Sequence, residues 1–356
     1  MASEQQEMNL GGDARRRNEA TRALRAPSEP LRTRVLNVLR TTFALAGVGL
    51  LALLVRDVGP EELLAVLKEA APWLPLVVAL ELARLATEAL GTWLALGKRA
   101  SAVPLGTLAR AQLISTAVAS LAPAGRATGE VAKAALFSRY TGEATAMAAA
   151  ATAQAASLVA TGLVSVPCAV AAYLMTGASG LTLALGAHAV LLVLLGTGMR
   201  AGMRARRLGA WLRRHSRRFA PHAERFQESA RSTGLLPPRP IVALVVGRGV
   251  QVVQYATLAV AVGIDTTVVE ALFAQGLNLV ALAVGSLVPG QLGVSDGVFT
   301  LAAEAFGTTP AKAMSIALVA HVLQVLFVLV GVFTPMVWKQ RSEPVSAPSP
   351  SGRGLG

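Results

Sequence analysis

The chain has one cysteine, Cys168, in 356 residues. That excludes an intramolecular disulfide framework and any cysteine-rich metal site. Aromatic residues make up 4%, too few for the stacking platforms of nucleic-acid binders. Charged residues reach only 15%, against about 25% in soluble domains, which argues against a water-soluble enzyme. No Gly-rich Walker loop is present, so ATP hydrolysis is not expected of this chain. His188 and His321 have no local carboxylate or cysteine cluster, so neither a metal nor another cofactor is expected. What the chain does have is 53% hydrophobic residues, a mean hydropathy of +0.54 and a formal net charge of +13. An all-α polytopic membrane protein is the default reading.

A membrane-crossing helix needs about 20 mostly apolar residues. Apolar stretches run over 36–55, 73–97, 104–121, 144–173, 178–199, 240–262, 268–288 and 310–338. Residues 1–35 read as a basic disordered tail and 339–356 as a second disordered tail. Residues 57–70 alternate Glu61, Glu62 and Glu69 with Leu63, Leu64, Val66 and Leu67. They read as a short amphipathic helix at the membrane surface. The small residues over 144–162 predict close helix packing, and Cys168 reads as a packing residue.

The charge is concentrated. Residues 1–40 carry net +3, residues 200–219 carry eight arginines and no acid, and the tail from Lys339 carries +2. These account for the whole +13. Basic segments stay on the cytoplasmic side, and the Arg run also favours anionic lipid. Eight simple crossings would put the run at 200–219 outside. The conflict vanishes if 104–140 and 268–306 are re-entrant hairpins that enter and leave on one side. The polar residues Arg110 and Gln112 in one, and Glu270, Gln275 and Asn278 in the other, favour this.

The two breaks resemble each other. Ser120-Leu121-Ala122-Pro123 and Ser286-Leu287-Val288-Pro289 are each followed by a turn and, seven residues after the proline, by Glu130 or Asp296. Arg84 and Arg248 precede the two prolines by 39 and 41 residues, inside apolar stretches. The expected architecture is therefore about six full spans plus two re-entrant helical hairpins, arranged as an inverted repeat. Repeat one covers 36–173 and repeat two covers 178–338, with both termini cytoplasmic in a bacterial-type inner membrane. Secondary transporters use such repeats and place their site where broken helices meet.

The segment from Pro123 to Glu130 with Val131-Ala132-Lys133-Ala134, and Pro289-Gly290-Gln291-Leu292-Gly293-Val294-Ser295-Asp296-Gly297, resemble the hairpin motifs of the lysylphosphatidylglycerol synthase membrane family. The second motif departs from the family, which often has Arg-Glu where this chain has Ser295-Asp296. The resemblance implies a flippase-like, stand-alone member without the soluble synthase domain, and hence no lysyl-lipid synthesis.

The candidate substrate-binding residues are Arg84, Arg126, Glu130, Arg248, Asp296, Pro123, Gly125, Pro289, Gly290 and Gly293. A helix N-terminus beside a guanidinium suits a phosphate-sized anion, which points to Arg126. Arg84 reads either as a phosphate contact or as the partner of Glu81 or Glu88, one turn away. Arg248 has Gln251 and Gln254 nearby, and Arg110 is either a phosphate contact or interfacial. Glu130 and Asp296 read either as an anionic site, able to carry a proton or balance a basic headgroup site, or as helix-start acids beside the cap residues Thr128 and Ser295. The expected function is binding and translocation of a phosphate-bearing lipid, a phospholipid or a polyprenyl-phosphate carrier. The alternatives are an accessory subunit presenting lipid-linked substrate to a glycosyl- or acyl-transferase, or an envelope-synthesis scaffold. The expected partners are membrane lipids, with envelope-synthesis enzymes and a second copy of the chain as further candidates, but no nucleic acid. No catalytic constellation is found, so no enzyme activity is expected.

Overall fold

The computed structural model describes residues 52–53, 56, 60–121, 125–205, 220–285, 288 and 291–338. The two tails, the first apolar stretch up to residue 51, Pro123, Pro289, Gly290 and most of the Arg run lie outside the described residues. The described residues form eleven α-helices and no strand. They are α1 (Pro60–Ala70), α2 (Leu74–Ala95), α3 (Leu105–Leu121), α4 (Gly125–Thr141), α5 (Glu143–Thr176), α6 (Gly180–Arg204), α7 (Ala220–Ser232), α8 (Pro238–Ala261), α9 (Val268–Val284), α10 (Val294–Leu301) and α11 (Pro310–Val337).

Four of these, α5, α6, α8 and α11, are long and apolar enough to cross a membrane. α2 has the length, at 22 residues, but carries Glu81, Arg84 and Glu88 along one side. α3 and α9 have 17 residues each, about 25 Å of helix, short of the ~30 Å hydrocarbon core. Both are followed closely by a second arm, α4 or α10. The second arm of the first break starts at Gly125, three residues before the cap candidate Thr128. The second arm of the other break ends at Leu301, with turns continuing to Gly307.

The distribution of polarity is inverted relative to a soluble domain. Leu183, Val190, Leu191, Leu194 and Leu195 of α6 point outward, as do Val322, Val325, Leu329 and Phe333 of α11. Gln112, Glu130, Lys133, Gln275, Asn278 and Asp296 are buried. Apolar bands of that extent do not face water; they suit lipid, with the polar groups sheltered inside.

Missing side chains bring the helices together. A Cβ on Gly162 of α5 would stand 2.8 Å from the Ala189 carbonyl of α6, and one on Gly196 of α6 would stand 2.7 Å from the Ala155 carbonyl of α5. The pair thus packs backbone against backbone, as small residues allow in membranes. α2 and α8 use the same device: Gly91 faces Leu244, and Gly247 receives the side chain of Thr87. Gly247 precedes Arg248 in sequence and Thr87 follows Arg84 by three, so this close crossing draws the two arginines toward each other. Within the first hairpin, Gly129 of α4 leaves room for the Ser115 carbonyl of α3.

Arg200 belongs to the basic run by sequence, yet it is 1% exposed. It donates to Thr152 Oγ1 at 2.7 Å and to the carbonyls of Ala230, Thr233, Gly234 and Leu235 at 2.6–3.3 Å. A guanidinium offers five donors in a planar fork, and here they collect the carbonyls left open where α7 ends. This anchor ties the 220–235 segment to α5 and α6.

Candidate functional site

The largest group of buried charge lies where α2, α3, α4, α8 and α9 meet. Its centre is Arg84, held between two acids of its own helix. It donates from Nε to Glu81 Oε2 at 2.9 Å, from Nη2 to Glu81 Oε1 at 2.5 Å, and from Nη1 to Glu88 Oε1 at 2.8 Å. The three and four residue spacings place both carboxylates one turn from the guanidinium. Their side chains are 13–15% exposed.

Glu88 is shared. Arg126 of α4 reaches its Oε1 at 3.2 Å, and Gln112 of α3 donates to its Oε2 at 3.1 Å. Glu81 Oε2 also accepts from Gln254 of α8 at 3.1 Å. Every carboxylate oxygen in the group is thus engaged. Arg248 of α8 donates to the neutral Gln251 at 2.8 Å, and Gln275 of α9 donates to the same oxygen at 3.3 Å. Among the described residues Arg248 makes no ion pair. It interacts through space with Arg126 and Arg84, which repel it, and with Glu88 and Glu81, which attract it. Three guanidiniums against two carboxylates leave this group at net +1. His188 of α6 also feels Arg248 and bonds Ser165 at 3.0 Å.

Glu130 pairs with Lys133, whereas Arg126 pairs with Glu88. Glu130 Oε1 accepts from Lys133 at 2.8 Å, and Lys133 also reaches Thr92 of α2 at 3.3 Å. This neutral pair is almost fully buried, with Glu130 Oε2 lacking a hydrogen bond. Asp296 joins His321 of α11 at 3.0 Å. The structure therefore unites Arg84, Arg126 and Arg248 and gives Glu130 and Asp296 separate basic partners.

The cap residues differ from the sequence expectation. Thr128 lies inside α4, three residues past its start. α10 is capped at Gly293, whose N–H donates to Asp296 Oδ2 at 2.8 Å. Ser295 faces His321 instead. Gly125 and Gly293 have φ of 44° and 77°, a region open to glycine at little cost, and each stands at a break. Arg110 is half-buried on α3. Sequence reasoning missed His321 as the partner of Asp296 and Lys133 as that of Glu130. The i+3 spacing of Lys133 was available as a signal; nothing local linked Asp296 to a residue 25 positions on.

No curated protein and no solved structure matches the chain. The profile of the family described as Lysylphosphatidylglycerol synthase TM region matches residues 37–331. That span covers most of the sequence and includes every helix that supplies the charge cluster, so this membrane protein belongs to that family.

Proposed function

We propose that the chain binds a phosphate-bearing lipid headgroup at Arg84, Arg126 and Arg248 and moves it between leaflets. The observation that carries this reading is the sheltered group of three guanidiniums and two carboxylates, with Arg248 lacking an acidic partner among the described residues. Charged groups inside a membrane are costly unless paired. A net charge of +1 is matched by one phosphodiester, and the planar guanidinium suits its oxygens.

The positions of the polar residues support an inverted repeat of hairpins. Arg84 and Arg248 are each the eleventh residue of their helices, α2 and α8. Gln112 and Gln275 are each the eighth residue of the hairpin arms α3 and α9. In both halves the arginine donates to a residue one turn on, Glu88 or Gln251, and the glutamine donates to that same residue. In this reading the chain has six spans, both termini are cytoplasmic, and the polar groups meet where the hairpins face each other. No chemistry is performed on the lipid.

The test is reconstitution of the full chain in liposomes with headgroup-labelled phosphatidylglycerol and, separately, a labelled polyprenyl phosphate. Wild type should move one of them well above protein-free vesicles, and Arg248→Gln and Arg126→Ala should be at least about tenfold slower, the equivalent of about 1.4 kcal/mol. Wild-type movement no faster than either variant overturns the reading. Stable co-purification with a transferase, without lipid movement, would favour the accessory-subunit alternative.

A further inference from the structure

The second hairpin holds a buried acid that the arginine cluster does not use. Asp296 is 0% exposed. Its Oδ2 accepts from the Gly293 N–H and lies 3.0 Å from His321 Nε2. Its Oδ1 is buried with no hydrogen-bond partner. Ser295 Oγ lies 3.1 Å from the same Nε2 and donates to the Gln291 carbonyl at 3.4 Å. With the serine proton directed at Gln291, both groups facing Nε2 are acceptors, so Nε2 carries hydrogen. This is not a hydrolase triad, in which the acid and the serine occupy opposite ring nitrogens.

With hydrogen on Nε2 alone, the pair has charge −1 and one dry carboxylate oxygen. A buried charge left unsatisfied is strongly unfavourable. Among the described residues no cation other than His321 pairs with Asp296. α1 and α3 also pack against α11; on them Glu61, Lys68 and Glu69 are exposed and Arg110 is half-buried. α9 contributes the neutral Gln275 and Asn278, while its Glu270 is engaged with Thr267 at the helix start. On α11 the other charged residue is Lys312, bonded to the Gly263 carbonyl at the helix start. From α8, Tyr255 stacks on Phe299 of α10, and Arg248 is held by Gln251. Downstream of α10, Glu304 is exposed. One further proton, on His321 Nδ1 or Asp296 Oδ1, makes the pair neutral.

We propose that Asp296 and His321 form a proton-binding site. The pair holds one extra proton while α10 lies against α11. When α10 moves away, water reaches Oδ1, solvates the carboxylate, and accepts that proton. The break beside it is built for a change of direction, with Gln291 and Gly293 at φ of 57° and 77°. The role of the proton as coupling ion rests on the lipid-translocation reading; the proton site itself does not.

The test is hydrogen–deuterium exchange of the full chain in phosphatidylethanolamine and phosphatidylglycerol nanodiscs. It compares about pH 6 with about pH 9, either side of the ordinary histidine range, after correction for intrinsic exchange. Wild-type protection of residues 291–301 should fall about tenfold or more at the higher pH. Asp296→Asn, which keeps a cap oxygen but no charge, should lose this response, as should His321→Gln. Equal wild-type protection at both pH values overturns the proposal without reference to any variant. An undiminished response in a folded Asp296→Asn protein also overturns it. Proteoliposomes of the same lipids separate the two readings. A pH response without lipid movement sustains the proton site and removes the translocation reading. Lipid movement without a pH response does the reverse.

Discussion

Replacing Glu88 by glutamine removes the acid that three helices share. Arg84 donates to one of its oxygens at 2.8 Å, Arg126 forms an ion pair with the same oxygen at 3.2 Å, and Gln112 donates to the other at 3.1 Å. A charge pair about 4 Å apart in a medium of effective dielectric about 20 attracts by about 4 kcal/mol. The two contacts do not count equally, because Arg84 keeps Glu81 and Arg126 has no second acid among the described residues. The variant therefore orphans one guanidinium, which costs about 3–5 kcal/mol when buried. The 31% exposure of Arg126 puts the expectation at the low end, near 3 kcal/mol. In detergent this should lower the unfolding midpoint by on the order of 5 °C. The cluster would also rise from +1 to +2, so added phosphatidylglycerol should recover more of the midpoint in Glu88→Gln than in wild type. A double-mutant cycle with Arg126→Gln should show coupling of about 1–3 kcal/mol. Strict additivity, or an unchanged midpoint in Glu88→Gln, would refute the electrostatic account of this site.

Further expectations concern the scaffold. Lys133→Met should destabilise strongly, by about 3–5 kcal/mol, because buried Glu130 loses its ion-pair partner; adding Glu130→Gln should return most of the lost thermal stability. Gly196→Val should lower the unfolding midpoint, since its Cβ would stand 2.7 Å from the Ala155 carbonyl, an overpacking cost of about 1–3 kcal/mol or more. Arg200→Gln should speed limited proteolysis by trypsin at Arg225 and Arg231, because the 220–235 segment loses its anchor to α6. Cys168 is fully buried and should react with a membrane-permeant maleimide only after unfolding.

Much of the helix layout is legible because burial in lipid makes apolar length a strong signal. The helices expected over 144–173, 178–199, 240–262 and 310–338 are observed as Glu143–Thr176, Gly180–Arg204, Pro238–Ala261 and Pro310–Val337. The helix α7 had no such signal, since its sequence is polar and its order depends on Arg200 from another helix. Local pairs were equally readable: Glu81 and Glu88 do flank Arg84 as helical spacing suggests. Contacts across helices were not. Glu88 meeting Arg126, and Asp296 meeting His321, depend on how α2 approaches α4 and α10 approaches α11. The cap positions were misplaced because the second arms start at Gly125 and Val294, bounds that glycine conformations set and hydropathy does not reveal.

The backbone seam between α5 and α6 has a mechanical consequence. Its two tight points, Gly162 against Ala189 and Gly196 against Ala155, are separated by seven residues along each helix, about 10 Å. Two notches that far apart resist sliding, because each would have to climb the ridge of the next turn. They permit little twisting either, since both must stay engaged at once. The pair consequently behaves as a fixed strut, against which other helices can tilt. Its hold comes from close fit and not from hydrophobic burial, because lipid tails offer an equally apolar alternative. Its tightness should therefore respond to how well the surrounding acyl chains fill the same grooves, making bilayer composition a determinant of the strut's stiffness.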